Sequence, residues 1–274
     1  MELGALQTVA VETTQLYSQF LNRPMLVDFY LPKAVAEPAA LSLLLLNDGQ
    51  DLLKMNFAAL LDALISNQNI QPVFCAGIHA GEDRKMEYGT ANILDYEGRG
   101  AKAKRYQQFI LAELLPYIKA TYNIPAFQQT LFAGFSLGGL MALDAAWNYP
   151  NVFSTAAVFS GSLWWRSKAL NDGYNEDTDR IMHRQIRNGT YHAGQKFYFT
   201  TGSLDETADR NNNGIIDSID DTLALIEELK NLGYTDADIC YINYEDGRHD
   251  VATWGRAMPH FLMWAFGPET DEAL

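Results

Sequence analysis

Short apolar runs of strand length alternate with helical patterns along almost the whole chain. The apolar runs occupy 25–31, 41–46, 72–78, 130–134, 155–160, 196–201 and 239–244, and the helical patterns occupy 51–66, 101–121, 137–149, 220–232 and 254–266. The middle runs are almost continuously apolar, which is typical of parallel strands buried on both faces. The alternation therefore predicts a single α/β domain over 1–274, with a mostly parallel, doubly wound central sheet and helices on both faces.

The charge balance and the lengths of the apolar runs narrow the range of partners. The 274 residues include 20 Lys and Arg against 34 Asp and Glu, which gives a formal net charge of −14. Such a chain cannot neutralise many phosphates, so we expect no nucleic-acid partner. The most apolar run, 41–47, is too short to span a membrane. The first residues show no signal-peptide pattern, so cytoplasm is the default prediction and export is the alternative.

Residues 131–139 read LFAGFSLGG and place Ser136 between a predicted strand and a predicted helix. In this context the pattern Gly-x-Ser-x-Gly forms a sharp turn, and its serine hydroxyl stands above the sheet edge. The small residues Gly134 and Gly138 allow the backbone to turn that tightly. The N-terminus of the following helix favours negative charge that develops nearby. We therefore predict that Ser136 is a nucleophile and not simply part of a glycine-rich turn.

A serine nucleophile needs a general base, and the base needs an acid that orients it. In sites built on this turn, the chain order is serine, acid, histidine. His249 follows the last predicted strand, so we predict that it is the base. Asp205 follows the preceding strand and is the predicted acid, with Glu206 as the alternative.

An ester-cleaving serine also needs two backbone N–H groups that bind the oxyanion of the tetrahedral intermediate. Leu137, which directly follows the nucleophile, is predicted to supply one of them. The second is expected in the turn after the strand at 41–46. There Gly49 allows a turn that directs the next amide inward, so Gln50 is the predicted donor and Asp51 the alternative.

Several stretches around these residues resemble the enterochelin esterase family, a branch of the α/β-hydrolases. This branch also includes S-formylglutathione hydrolases, some feruloyl esterases and the mycolyltransferases of the antigen 85 complex. The stretches are LLNDGQDL, GIHAGEDRKMEYG, FAGFSLGGLMAL, FSGSLWW and GRHDVATWGRAMPHFLMWAF. By this resemblance, Ser136 and His249 correspond to the nucleophile and the base. The net charge of −14 suits a polyanionic triscatecholate ester poorly, so the resemblance supports ester hydrolysis better than any named ester.

The resemblance also implies that Arg84, Glu87 and Tyr88 line or brace the site. The alternative for this stretch is a surface loop with a local ion pair. Trp164 and Trp165 follow a strand end close to Ser136. They are expected either to form an aromatic wall for an acyl or aryl group, or to cap the core.

A second motif, DRNNNGIIDSID at 209–220, matches the pattern of a calcium-binding loop. Such a loop places oxygen ligands at positions 1, 3, 5, 7, 9 and 12 and a glycine at position 6. The corresponding ligands are Asp209, Asn211, Asn213, the carbonyl of Ile215, Asp217 and Asp220. We predict a structural Ca²⁺ within an insertion at 206–221, and no cofactor for catalysis. The alternative is an Asn- and Gly-rich turn that caps the next helix.

Together these features predict a serine esterase. It would hydrolyse a carboxylic ester of a small molecule through an acyl-enzyme intermediate, with a Ser-Asp-His triad. One alternative is an acyltransferase that uses the same triad. The other is a catalytically inactive, calcium-dependent binding module.

Overall fold

Eight strands form one sheet in the order β1-β2-β4-β3-β5-β6-β7-β8. The computed structural model describes residues 6–35 and 40–268, so the predicted domain limits at residues 1 and 274 lie outside the described residues. The strands are β1 Val9–Ser18, β2 Arg23–Pro32, β3 Ser42–Asn47, β4 Val73–Ile78, β5 Thr130–Phe135, β6 Thr155–Phe159, β7 Lys196–Leu204 and β8 Ile239–Arg248. β1 and β2 run antiparallel to their neighbours, and all other pairs are parallel. This order and direction confirm the predicted α/β-hydrolase fold.

Helices follow most of the parallel strands. They are α1 Phe57–Ser66, α2 Arg84–Glu87, α3 Ala103–Phe109, α4 Leu115–Thr121, α5 Leu137–Asn148, α6 Glu176–Asp179, α7 Ile181–Arg187, α8 Asp217–Asn231 and α9 Val251–Phe266. A π-helical turn, Ile110–Leu114, joins α3 to α4, and a 3-10 turn, Gly49–Asp51, follows β3. Among the described residues, no helix combines the length and the apolar character needed to cross a bilayer.

The central strands are buried on both faces, as their apolar composition predicts. Every residue of β3, β4 and β6 is buried. Because strand side chains alternate between faces, Leu43 and Leu45 pack into one hydrophobic core while Leu44 and Leu46 pack into the other. The first core includes most of α5, and the second includes α1 and α9. The sheet therefore fixes the positions of the loops at its carboxyl edge.

The structure adds elements that the sequence patterns did not predict. β1 is an edge strand whose residues are mostly exposed or half-buried, so it lacks a strong apolar signal. The polar stretch 163–194 contains the short helices α6 and α7. Helix α9 begins three residues earlier than expected, because the Oδ1 of Asp250 caps it by accepting the N–H of Thr253 at 2.8 Å.

Candidate active site

Ser136 lies between β5 and α5 in a strained backbone conformation, with φ 54° and ψ −120°. A non-glycine residue with positive φ is uncommon, and such strain often marks functional sites. The turn is tight because a Cβ on Gly134 would lie 2.2 Å from the carbonyl oxygen of Gly138. The amide of Ser136 donates to the carbonyl of Phe159 at 2.9 Å, which ties the turn to the neighbouring strand β6. This geometry is that of the predicted nucleophile turn.

The end of β3 braces the same turn from the other side. The Nδ2 of Asn47 donates to the carbonyl of Gly138 at 2.8 Å, and the hydroxyl of Tyr106 donates to the Oδ1 of Asn47 at 2.6 Å. A Cβ on Gly138 would lie 2.6 Å from the Oδ2 of Asp48. Close approach therefore leaves little room for a side chain two residues before and two residues after Ser136.

The two predicted oxyanion donors are the backbone amides of Leu137 and Gln50. Among residues 6–35 and 40–268, neither the amide of Leu137 nor that of Gln50 donates to a protein acceptor. The amide of Asp51, the alternative donor, is engaged, because it donates to the carbonyl of Asp48 at 3.0 Å. The side chain of Gln50 fixes the turn, since its Oε1 accepts the N–H of Ala80 at 3.0 Å.

The origin of this turn differs from the expectation. The residue with positive φ is Asp48, at 59°, and not Gly49. Glycine is needed at position 49 for a different reason: a Cβ there would lie 2.3 Å from the backbone carbon of Gly77 in β4. Close packing of two backbones, and not conformational freedom, therefore explains this glycine.

Trp254 joins the predicted base to the nucleophile turn. The ring of His249 packs edge-on against Trp254, with centroids 5.2 Å apart and an interplanar angle of 82°. The Trp254 ring stacks on Phe135, the residue before Ser136, at 5.3 Å, and its Nε1 donates to the Oγ of Ser160 at 3.1 Å. One indole therefore contacts both the base and the strand end that carries the nucleophile.

Asp205 offers a carboxylate oxygen that fits the role of the orienting acid. Its Oδ2 accepts the amide of Gly202 at 3.0 Å and the hydroxyl of Ser218 at 3.4 Å. Its Oδ1 is buried and has no hydrogen-bond partner within the described part of the chain. The charge of Asp205 raises the pKa of His249, so the two groups lie within electrostatic range. By contrast, burial raises the pKa of the Glu206 carboxyl, which makes its ionised form less available.

The pKa of His249 is lowered overall. The largest cause is partial desolvation by the surrounding protein, even though the residue as a whole is exposed. The positive charge of Arg84 also lowers it, while the charges of Asp205 and Asp250 raise it. A lowered pKa favours the neutral imidazole, which is the form that a general base requires.

Arg84 braces the site through an ion pair. Its Nε and Nη2 donate to the two carboxylate oxygens of Asp48, each at 2.7 Å, and its Nη2 also reaches the carbonyl of Phe135 at 3.4 Å. Its guanidinium lies over the Tyr88 ring, 5.1 Å from the centroid. Glu87 points elsewhere and pairs with Arg23. The geometry favours bracing over direct substrate binding for this stretch.

The two tryptophans after β6 differ in their surroundings. Trp165 is completely buried, and its Nε1 donates to the Oγ1 of Thr90 at 3.1 Å. Trp164 is half-buried, and the guanidinium of Arg99 lies 5.0 Å from its ring centroid. Trp165 therefore caps the core, whereas Trp164 is only partly covered by the protein.

In the 209–220 loop, the side chains predicted as ligands at positions 1, 3, 5 and 12 form hydrogen bonds with one another and with the loop backbone. The carboxylate of Asp209 accepts the amides of Asn213 and Gly214 at 3.1 and 2.9 Å. The two oxygens of Asp220 accept the Nδ2 groups of Asn211 and Asn213 at 3.0 and 3.1 Å.

One residue of the predicted ligand set has other partners. Asp217 does not join it, because its carboxylate accepts the amide of Arg210 at 2.9 Å and pairs with that residue's guanidinium at 3.2 Å. The amide of Ile215 donates to the Oδ1 of Asn213 at 2.8 Å. Over 6–35 and 40–268, no three His, Cys, Asp or Glu side chains group together as metal ligands.

Three residues near the nucleophile were not predicted. Trp254 packs against the ring of His249 and donates to Ser160. The Oγ of Ser162 lies 3.3 Å from the Oγ of Ser136. The stretch FSGSLWW directly after a predicted strand was the available signal for the two serines.

Sequence comparison then identifies the family. Residues 18–265 match the esterase family described as "Putative esterase". The chain belongs to this esterase family. The match covers most of the chain, and it classes the protein as a carboxylic ester hydrolase.

Individual relatives of this esterase family member are distant. The iron(III) salmochelin esterase of Escherichia coli O6:H1 is 27% identical over 238 residues, which cover 85% of this chain and 52% of that protein. The chain thus spans about half the length of this curated relative.

Solved structures share the fold. The enterobactin esterase of Shigella flexneri, crystallised in the presence of enterobactin, superposes with a TM-score of 0.70 at 21% identity, over 93% of this chain and 58% of that one. An IroE-like serine hydrolase from Shewanella oneidensis has a TM-score of 0.69 at 21% identity, over 92% of this chain and 80% of that one.

Proposed function

We propose that the protein hydrolyses a small-molecule carboxylic ester through an acyl-enzyme formed on Ser136. The observation that carries the proposal is the strained turn at Ser136, which Trp254 links to the ring of His249. The available amides of Leu137 and Gln50 support the proposal, and so does the unpartnered Oδ1 of Asp205.

In the first half-reaction, the Oγ of Ser136 attacks the ester carbonyl carbon and its proton passes to His249. The carbonyl π electrons move to the oxygen, which the amides of Leu137 and Gln50 stabilise. The tetrahedral intermediate then collapses, the bond to the alcohol oxygen breaks, and His249 returns the proton to that oxygen. Asp205 orients the imidazole and stabilises the imidazolium that forms.

In the second half-reaction, water attacks the acyl carbon and gives a proton to His249. The bond between the acyl carbon and the Ser136 Oγ breaks, and the Oγ recovers its proton from His249. The products are a carboxylic acid and the free enzyme. An added alcohol in place of water would give a new ester, so product analysis with added alcohols distinguishes hydrolysis from acyl transfer.

The site suggests an ester with an apolar acyl or aryl group and little negative charge. The half-buried Trp164 offers an aromatic face, whereas Arg84 is already paired with Asp48. Names of relatives refer to salmochelin and enterobactin esters, but the net charge of −14 suits such polyanions less well. A panel of p-nitrophenyl esters with acetyl, butyryl and aromatic acyl groups tests this. Preference for a strongly anionic acyl group would contradict it.

We also propose that the 209–220 loop binds Ca²⁺ as a structural ion. The oxygens of Asp209, Asn211, Asn213 and Asp220, together with the carbonyl of Ile215, are the hard ligands that Ca²⁺ prefers. The Oδ1 atoms of Asn211 and Asn213 accept the backbone amides of Asn213 and Ile215 at 3.2 and 2.8 Å, and each oxygen keeps a second lone pair for a cation. The ion would stabilise the loop and take no part in ester cleavage.

Calcium at this loop would also stabilise the predicted acid. Ser218, in the first turn of α8, donates to the Oδ2 of Asp205, and α8 begins within the loop. We expect Ca²⁺ to raise the melting temperature of the wild type and not that of Asp209→Ala, and calorimetric titration should show one binding site. If EDTA and Ca²⁺ leave the melting temperature unchanged and titration shows no binding, the loop is only an Asn-rich turn.

A further inference from the structure

A second serine lies directly beside the predicted nucleophile. The side chain of Ser162 is buried, and its Oγ is 3.3 Å from the Oγ of Ser136. The amide of Ser162 donates to the carbonyl of Ser136 at 3.1 Å, so the two residues are joined through backbone as well as side chain. Within the described ranges, the Ser162 hydroxyl has no other hydrogen-bond partner. Its one polar contact is therefore the reacting atom.

The backbone before Ser162 is held firmly. Ser160 has a positive φ of 46°, and its amide donates to the carbonyl of Thr200 at 2.8 Å. A Cβ on Gly161 would lie 2.4 Å from the Cγ1 of Val158, so this segment packs closely onto β6. The Ser162 hydroxyl is thus presented to the nucleophile by a rigid segment and not by a flexible loop.

We propose that Ser162 is a further catalytic residue, whose hydroxyl donates a hydrogen bond to the Oγ of Ser136 while that oxygen carries developing negative charge. The inference rests on the proposed function. Among the described residues, Ser162 is the one hydrogen-bond partner of the Ser136 Oγ, and their separation of 3.3 Å is longer than the usual O–H···O distance of about 2.7–2.8 Å. The contact is therefore weak in the ground state.

The contact strengthens in the transition state. When the Ser136 proton passes to His249, the Oγ becomes a charged acceptor, and hydrogen bonds to charged groups are stronger and shorter. An interaction that is stronger in the transition state than in the ground state raises kcat. The same donor acts again in deacylation, when the Oγ departs from the acyl carbon before His249 protonates it. Ser162 keeps its own proton in both steps.

The test compares Ser162→Ala with wild type, Ser136→Ala and Ser154→Ala. Ser154 is a matched control, because it lies just before β6, at the end of the strand away from the turn, and its hydroxyl contacts the carbonyl of Thr130 at 3.3 Å. We expect Ser162→Ala to lower kcat by about 10- to 150-fold with KM unchanged, as for loss of one hydrogen bond to a charged group. Inactivation by a serine-directed phosphonate should slow by the same factor.

Two further variants distinguish loss of the Ser162 hydroxyl from a structural effect of the substitution. Ser162→Gly also removes the hydroxyl and should reproduce the loss, while Ser162→Thr retains a donor and should recover most of the rate. A purely structural role would instead lower the melting temperature or raise KM.

The possible outcomes separate this inference from the proposed function. In one outcome Ser136→Ala is inactive, while Ser162→Ala and Ser162→Gly hydrolyse the ester and react with the phosphonate as fast as Ser154→Ala does. The role of Ser162 is then refuted and the esterase proposal stands. If Ser136→Ala retains full activity, the esterase proposal itself fails.

Discussion

Replacing Asp205 by Asn tests the predicted acid most sharply, because the change keeps the shape of the side chain. The Oδ2 of Asp205 already accepts from Gly202 and Ser218, so an Asn carbonyl oxygen would take that place. Its NH₂ group would then occupy the position of the unpartnered Oδ1 and donate where an acceptor is needed. The imidazole of His249 would be held in the wrong tautomer for a base.

The size of the effect follows from what the carboxylate supplies. A hydrogen bond to a charged group contributes about 1.5–3 kcal/mol, and each 1.36 kcal/mol corresponds to about tenfold in rate. In the proposed mechanism the carboxylate accepts a hydrogen bond from the imidazolium, and loss of that bond alone should lower kcat about 10- to 150-fold. The reversed tautomer brings the loss to the order of 10²–10⁴-fold. The midpoint of the acid limb of kcat/KM should also fall, because the charge of Asp205 raises the pKa of His249.

The assay is steady-state hydrolysis of p-nitrophenyl acetate between pH 4 and 9, with circular dichroism to verify folding. Glu206→Gln is the matched control, since it removes one negative charge from the adjacent residue, and its kcat should stay within about threefold of wild type. If Asp205→Asn keeps near-wild-type activity while Glu206→Gln loses it, the assignment of the acid is wrong.

Three further predictions follow from the same geometry. Because partial desolvation lowers the pKa of His249, the acid limb of wild-type kcat/KM should lie below the usual histidine value of about 6.5. Arg84→Met should move this limb to higher pH, because it removes a positive charge that lowers the pKa of His249; an unmoved midpoint would contradict this. Trp165→Ala should lower the free energy of unfolding, measured in urea, by about 3–5 kcal/mol, as for other buried aromatic residues. Trp164→Ala should raise KM for aromatic esters and lower the free energy of unfolding by less than about 1 kcal/mol. Equal destabilisation by the two substitutions would refute the distinction between the two tryptophans. Gly134→Ala should give little soluble, folded protein, because its Cβ would lie 2.2 Å from a backbone oxygen; a melting temperature within a few degrees of wild type would show that the turn can open.

The sequence was sufficient to predict the sheet because burial on both faces leaves a strong apolar signal. The runs that became β3, β4 and β6 are buried throughout, and each was predicted. β1 was missed because it is an edge strand with a largely exposed pattern, VAVETTQLYS, that carries little hydrophobic periodicity. The helices α6 and α7 were missed because they are short and lie in a polar stretch.

The candidate site was predicted only in part, because three-dimensional contacts decide several roles. The turn at Ser136 has a local sequence signature, so the serine could be found from the chain alone. The roles of Trp254 and Ser162 depend on contacts across the fold, with Phe135 and with Ser136 respectively. No spacing rule links such residues, so only the structure could bring them together.

The most direct test of the account is to identify the covalent intermediate. Wild-type protein is mixed with p-nitrophenyl acetate, quenched in acid within the first turnover, digested and analysed by mass spectrometry, with Ser136→Ala treated in the same way. The proposed acyl-enzyme mechanism predicts an acetyl group on the peptide that contains Ser136 and a matching burst of p-nitrophenolate. Neither should be found with Ser136→Ala. Hydrolysis that persists in Ser136→Ala, or an acetyl group on another residue that turns over at the catalytic rate, would contradict it.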